Sequence, residues 1–385
     1  MELTRANAFY NQPNYEKKTK EDLAQKDLLG SPVYTYEDGN SWVRLGKNIV
    51  FNGSSIALIY SISKSCIRLC SFGHISLPKL PPKVFWITTA LGLYNTVSMI
   101  VGCLIHPAAI LRRSSPDELS NERRWLSQRG REVKRITIKA NGCLLDAMIL
   151  GRKENLGNGR WIVFSNGNAA TYERTNERKL IMADNLNANI LLYNYASTGR
   201  SEGSFPNRQA ILASHRAMLS FLEEEIKATE IIDFAQSIGG GIQGENLKTY
   251  PLKNGVKYVF VKYMTFATLS QLVEKSIGKV GAVALKGLNW EYSSVESSKA
   301  LSHPEIIIQQ GNQEKMEKGY VEMTNINQLS KTDGVIKGEV SLAKALFQDP
   351  SCPKENKVFM LVREGHNDRF FSIQKFSQMI QKQLD

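Results

Sequence analysis

The chain has 385 residues, 42% of them hydrophobic and 22% charged, enough for one large domain with an appendage or for two domains, and this balance excludes disorder as the main state. The formal net charge of +12 admits nucleic acid or an anionic membrane surface as a partner, but zinc-finger spacing and aromatic–basic interleaving are both missing, so nucleic-acid binding is not expected. Five cysteines (Cys66, Cys70, Cys103, Cys143 and Cys352) form no CxxC pair, which argues against a disulfide framework and a structural zinc site.

Residues 1–47 form a polar tail of mixed charge, and no basic opening followed by an apolar core marks a cleaved signal peptide. Residues 48–111 are apolar and read as a helical membrane-anchor region. Its first segment, Ile49 to Ser63, is diluted by Asn52, Ser54 and Ser55 and closed by Lys64 and Arg68. It reads as a second span, an interfacial helix or a buried helix. The second segment, Val84 to Ile105, follows Pro81 and Pro82, and no Asp, Glu, Lys or Arg occurs from Val84 through Leu111. At about 1.5 Å per residue such a helix just crosses a hydrocarbon core about 30 Å thick. Trp86 sits near one end, where an amphipathic ring favours the interface. A transmembrane segment over 84–105 is the expectation; a buried helix capping the soluble domain is the alternative. Residues 112–133 are a basic linker. Arg112, Arg113, Arg123, Arg124, Arg129 and Arg131, with Lys134 and Arg135 just beyond, suit either anionic lipid head groups or simple solvation.

From residue 134 to 385 short β-branched runs alternate with helical ones. Arg135–Ala140 and Leu144–Leu150, separated by Asn141-Gly142, read as a β-hairpin. Strands follow at Trp161–Phe164, Asn189–Tyr195, Glu230–Ala235, Tyr258–Tyr263, Glu305–Gln309 and Val358–Val362, with helices at Glu173–Asn185, Gln209–Glu225 and around Ser341–Phe347. Apolar strands between helices imply a mostly parallel, doubly wound sheet buried on both faces, with an antiparallel edge.

In such a sheet ligands bind beyond the carboxyl ends of the strands. After Glu230–Ala235 comes Gln236-Ser237-Ile238-Gly239-Gly240, a serine at a strand-to-helix turn among small residues. This resembles the G-x-S-x-G nucleophile elbow of the α/β-hydrolases, with Ala235 at the first small position. Ser165-Asn166-Gly167-Asn168-Ala169 after the Trp161 strand resembles the same fold's oxyanion loop, with Asn166 where His is usual. Ala196-Ser197-Thr198-Gly199-Arg200-Ser201-Glu202-Gly203 is similar to a loop that shapes the fold and the pocket wall. Gly365-His366-Asn367-Asp368 follows the last strand, where the family keeps its general base. Gly311-Asn312-Gln313-Glu314 stands where a G-x-x-D turn carries the acid.

The resemblance covers roughly Lys134 to the end and is closest to the Bem46-like, membrane-anchored serine hydrolases. The whole chain also resembles a chlamydial family of CHLPS type, in stretches such as Lys262-Tyr263-Met264-Thr265-Phe266 and Gly287-Leu288-Asn289-Trp290. It implies Ser237 as nucleophile, His366 as base and Glu314 as acid, with Glu317 and Asp333 as alternatives for the acid. The backbone N–H groups of Asn168 and Ile238 would form the oxyanion hole. The activity so implied is a membrane-tethered esterase, thioesterase or lipase-like hydrolase with no metal or organic cofactor. Its substrates would be acyl esters or thioesters, of lipids or acylated proteins. The alternative is an inactive member serving as a membrane-anchored interaction module.

Overall fold

The computed structural model describes residues 29–38, 82–108, 118, 121, 124–125, 130–174, 177–203, 205–316, 319–368 and 373–385. Segment 49–63, Glu317, nearly all of the N-terminal tail and most of the basic linker lie outside these residues. Among them, ten strands form one sheet: β1 (Tyr34–Tyr36), β2 (Glu132–Ala140), β3 (Cys143–Gly151), β4 (Arg160–Ser165), β5 (Asn189–Tyr193), β6 (Glu230–Gln236), β7 (Lys257–Tyr263), β8 (Glu305–Gln310), β9 (Tyr320–Glu322) and β10 (Lys357–Val362). Their order is β1-β2-β3-β5-β4-β6-β7-β8-β10-β9. The stretch from β5 to β10 is parallel. β3 runs antiparallel to β2 and to β5, and β9 runs antiparallel to β10.

The opening hairpin turns on Asn141 and Gly142, both at positive φ (48° and 89°), the backbone that a two-residue hairpin loop needs and that Asn-Gly supplies at little cost. Ala140 is thereby paired with Cys143, and Arg135 with Met148.

Period-two alternation sends neighbouring strand residues to opposite faces. On one face Trp161, Val163, Ile231 and Phe260 pack against helices α3 (Arg208–Ser220) and α4 (Ile238–Leu247). On the other, Ile162, Phe164, Ile232 and Val259 pack against α2 (Glu177–Asn185) and α9 (Ile373–Leu384). Asn207 caps α3, its side chain accepting the N–H groups of Gln209 and Ala210. The helix expected over Gln209–Glu225 is α3 continued by a wider π turn, Phe221–Ile226, which stops at the left-handed Lys227. The helix expected from Glu173 begins at Glu177, after a separate 3-10 turn at Tyr172–Arg174. Two helices, α5 (Leu269–Ile277) and α6 (Lys279–Gly287), follow β7 as a hairpin; α7 (Val295–Ala300) and α8 (Leu342–Gln348) complete the set.

The apolar segment does form a helix, α1 (Pro82–Ile105). No helix among the described residues is long and apolar enough to cross a membrane. α1 carries Thr88, Thr89, Asn95, Thr96 and Ser98 among its 24 residues. The C-terminal half is docked on the sheet domain. A side chain at Gly102 would run into the Trp290 ring. The Trp290 indole donates to Ser98 O (2.9 Å) and Oγ (3.0 Å). His106, just past the helix, is buried against Tyr195, Trp290 and Tyr292. Burial holds its imidazole neutral, with a pKa lowered to about 3.

Two members of the basic cluster also turn inward. Arg131 pairs with Asp184 at 2.6 Å and Arg135 with Asp146 at 2.7 Å, their side chains only 6% and 7% exposed. These guanidinium groups serve the domain's own carboxylates, not a lipid face.

Candidate functional site

Ser237 joins β6 to α4 with φ 53° and ψ −119°, a conformation that non-glycine residues adopt only when their surroundings over-determine it. Here they do. The Ser237 N–H donates to Tyr263 O (3.0 Å) and the Thr265 hydroxyl donates to Ser237 O (2.7 Å), so the end of β7 holds the turn from both sides. Small residues are required beside it: a Cβ on Gly239 would stand 2.5 Å from Ser165 O, and one on Gly240 would stand 2.7 Å from the Thr265 hydroxyl. Ala235 is fully buried, and its methyl group is accommodated.

The loop after β4 lies against this turn; a Cβ on Gly167 would be in contact, at 3.4 Å, with that of Ser237. Ala169 takes a positive φ of 58°. Asn166 accepts a hydrogen bond from the Lys179 ammonium (3.0 Å) through its side chain, so its amide braces the loop from behind. Desolvation lowers the Lys179 pKa to about 8. The 196–203 loop ties itself to the hairpin instead of the pocket: the Ser201 hydroxyl accepts the Asp146 N–H (3.0 Å) and donates to Asn194 O (2.9 Å).

His366 follows β10, and its Nδ1 lies 3.1 Å from Asp333 Oδ2. Gln309, the penultimate residue of β8, donates to the same oxygen (2.9 Å). The other oxygen, Oδ1, accepts the N–H groups of Val335 (3.0 Å) and Ile336 (2.7 Å). A backbone bond from His366 N–H to Asp333 O (2.7 Å) locks the two loops together. Burial alone would raise the Asp333 carboxyl. The His366 hydrogen bond and charge and the two N–H donors outweigh it, and the group is held below the usual carboxylate range. A carboxylate only accepts, so the network assigns the proton to Nδ1 and leaves the Nε2 lone pair available.

The carboxylate on His366 thus belongs to Asp333, one of the two alternatives for the acid, and not to Glu314, which was preferred. Asn312 caps a 3-10 turn at Gln313–Lys315, its side chain accepting the Glu314 N–H, and that turn leaves Glu314 exposed. The chain then makes a long excursion through β9 before Asp333 arrives. Gln309 carried a signal in the sequence: a polar residue that follows Ile306-Ile307-Ile308 at the carboxyl end of a buried strand.

Ser237, Asn168, Ile238 and His366 all line one cavity of about 810 Å³. Ser237 and His366 are 8% and 6% exposed. Among the described residues no hydrogen bond joins Ser237 Oγ to the imidazole. Ile238 opens α4, where a backbone N–H has no partner within the helix.

Among solved structures, the chain is similar to an α/β-hydrolase from Vibrio vulnificus, with 14% identity and a TM-score of 0.52 over 80% of this chain and 97% of that one. It is also similar to an esterase from Pyrococcus furiosus (11%, TM-score 0.47, 71% and 95%) and to an acetyl xylan esterase from Paenibacillus sp. R4 (12%, TM-score 0.43, 71% and 96%). The Vibrio likeness extends over nearly the whole of that protein, and the fold is that of the α/β-hydrolases. The profile of a chlamydial family matches residues 75–385, taking in α1, every strand from β2 onward and all of the site residues above, and the chain belongs to the Chlamydia CHLPS protein family, DUF818.

Proposed function

We propose that the protein is a serine hydrolase of acyl esters or thioesters. The observation that carries this reading is the Gln309–Asp333–His366 relay, which ends on the same cavity as a serine in an elbow conformation. Ser237 Oγ attacks the acyl carbon as its proton passes to His366 Nε2. Asp333 keeps the imidazole in the required tautomer and stabilises the imidazolium. The oxyanion meets the N–H groups of Asn168 and Ile238, each worth about 3 kcal/mol in the transition state. Collapse of the intermediate expels the alcohol or thiol, which takes the proton from His366. Water then enters by the same route in reverse, releasing the acid and restoring the serine. The substrate is a lipid or an acylated protein, which brings the enzyme to a membrane surface through what it cleaves.

Labelling with a fluorophosphonate, which reacts with an activated serine, tests this directly. Wild type is expected to label, and Ser237→Ala and His366→Ala are not. A folded wild type that stays unlabelled would remove the hydrolase reading in favour of an interaction module built on the same fold.

A further inference from the structure

We infer that the cavity beside Ser237 is a subsite for one long, uncharged acyl chain, and that α1, outside the sheet domain, supplies part of its wall. This rests on the hydrolase reading above and names its substrate class.

The lining divides by chemistry. Of its polar members, Asn168, Gln236, Ser237, His366 and Asn367 come from the strand ends and loops gathered around the serine, and Ser276 comes from α5. Most of the rest is aliphatic or aromatic and comes from α1, from the α5–α6 hairpin and from Phe266. Among the described residues no Asp, Glu, Lys or Arg lines the space. A carboxylate, phosphate or ammonium on the acyl group would therefore lose its hydration with no counter-charge in return. The volume, about 810 Å³, lies in the upper part of the usual range of about 300–1,000 Å³ for small-molecule sites, far more than an acetyl group fills.

The α1 wall is fixed in place. Gly102 and Ser98 seat the helix on Trp290, and His106 Nε2 lies 3.3 Å from the Tyr292 hydroxyl; this presents Val101, Leu104 and Ile105 to the cavity. At the mouth the apolar surface runs out to solvent, with Leu104 73% and Ile277 74% exposed although both line the cavity. A chain anchored at Ser237 and reaching past them covers surface that water otherwise wets. Each added methylene that is buried should raise kcat/KM about three- to fourfold, until the chain outgrows the walls.

The test is kcat/KM for p-nitrophenyl acetate, butyrate, octanoate, dodecanoate and palmitate on the full chain, with Leu104→Glu and Val273→Trp beside wild type. Thermal melting confirms that each variant is folded; Leu104→Glu changes a mostly exposed position and keeps the experiment decisive if Val273→Trp does not fold. Wild type is expected to rise steeply from acetate to at least octanoate. Leu104→Glu should cut the dodecanoate-to-acetate ratio at least tenfold, and Val273→Trp should move the optimum to shorter chains. Acetate cleaved as well as or better than octanoate, or a ratio unmoved by Leu104→Glu, would overturn the subsite while leaving the hydrolase standing. Should no ester be cleaved and no fluorophosphonate react, the hydrolase reading falls on its own. Calorimetric titration of wild type with uncharged methyl dodecanoate then decides: saturable binding weakened by Leu104→Glu upholds the acyl subsite, and no binding removes it.

Discussion

Among the described residues two histidines face an aspartate, and they differ in what the other ring nitrogen meets. His215 Nε2 lies 3.0 Å from Asp233 Oδ2, and its Nδ1 lies 3.0 Å from the Asn246 amide nitrogen. Both ring nitrogens are engaged, and His215, Asp233 and Asn246 are fully buried beneath α3 and α4. The His366 ring meets Asp333 through Nδ1, its Nε2 has no hydrogen-bond partner among the described residues, and the residue lines the cavity. A His–Asp distance of about 3 Å therefore says little by itself. What distinguishes the pairs is the second ring nitrogen and what it can reach.

The largest expected effect separates the two pairs outright. Ser237→Ala or His366→Ala should lower kcat about a million-fold, as in triads that act as a unit, with the urea midpoint nearly unchanged. Asp333→Asn should cost about ten-thousandfold by favouring the wrong tautomer. His215→Ala should do the opposite: it strands the buried Asp233 carboxylate and destabilises the fold by about 3–5 kcal/mol, read from urea unfolding, while the fraction that remains folded still labels with fluorophosphonate. Loss of labelling in folded His215→Ala would erase the distinction. Gln309→Leu removes one donor from Asp333 Oδ2 and should lower kcat about tenfold, with a shift in the acid limb of the pH profile that a merely structural loss would not produce.

The smallest effect concerns a third histidine. His106 is held neutral by burial with a pKa near 3, whereas an unfolded histidine titrates near about 6.5. Between those values the unfolded chain binds the extra proton, so stability is lost as pH falls from about 6.5 towards 3. His106→Gln should flatten that decline by one proton's worth, measured by urea unfolding at a series of pH values. The Asp333 carboxyl, held below its usual range, acts lower still: its contribution is present above about pH 4 and is lost as pH falls further, through the folded value. Asp333→Asn should remove that last part of the acid sensitivity.

The elbow could be read from the sequence because everything it needs is local. An apolar strand, a serine and two glycines follow one another closely in the chain, and the carbonyl that Gly239 avoids, Ser165 O, is brought close by the pairing of β4 with β6. The hairpin at Asn141-Gly142 was legible for the same reason. The acid was not, since nothing local marks Asp333. It is reached only after the chain has left β8, paired β9 with β10 and returned, while Glu314 stood at the expected offset and the cap at Asn312 turned it outward. Nor was the role of α1 legible. Its apolarity reads alike for lipid and for protein, and the deciding residues, Gly102 and Trp290, are far apart in the chain. Lys262–Phe266 and Gly287–Trp290 drew notice only as resemblance; in the fold Thr265 braces the elbow and Trp290 seats α1.

Asp333 also binds the N–H groups of Val335 and Ile336, and Val335 lines the cavity. The residue bonded to the His366 ring and a residue of the cavity wall thus share one three-residue turn. Divergence between relatives is constrained unevenly as a result. The long excursion before Asp333 is free to lengthen, shorten or change composition, whereas altering pocket shape at Val335 risks tilting the imidazole. New specificities should arise more readily by exchange of α1 and the α5–α6 hairpin, which carry walls and no part of the relay.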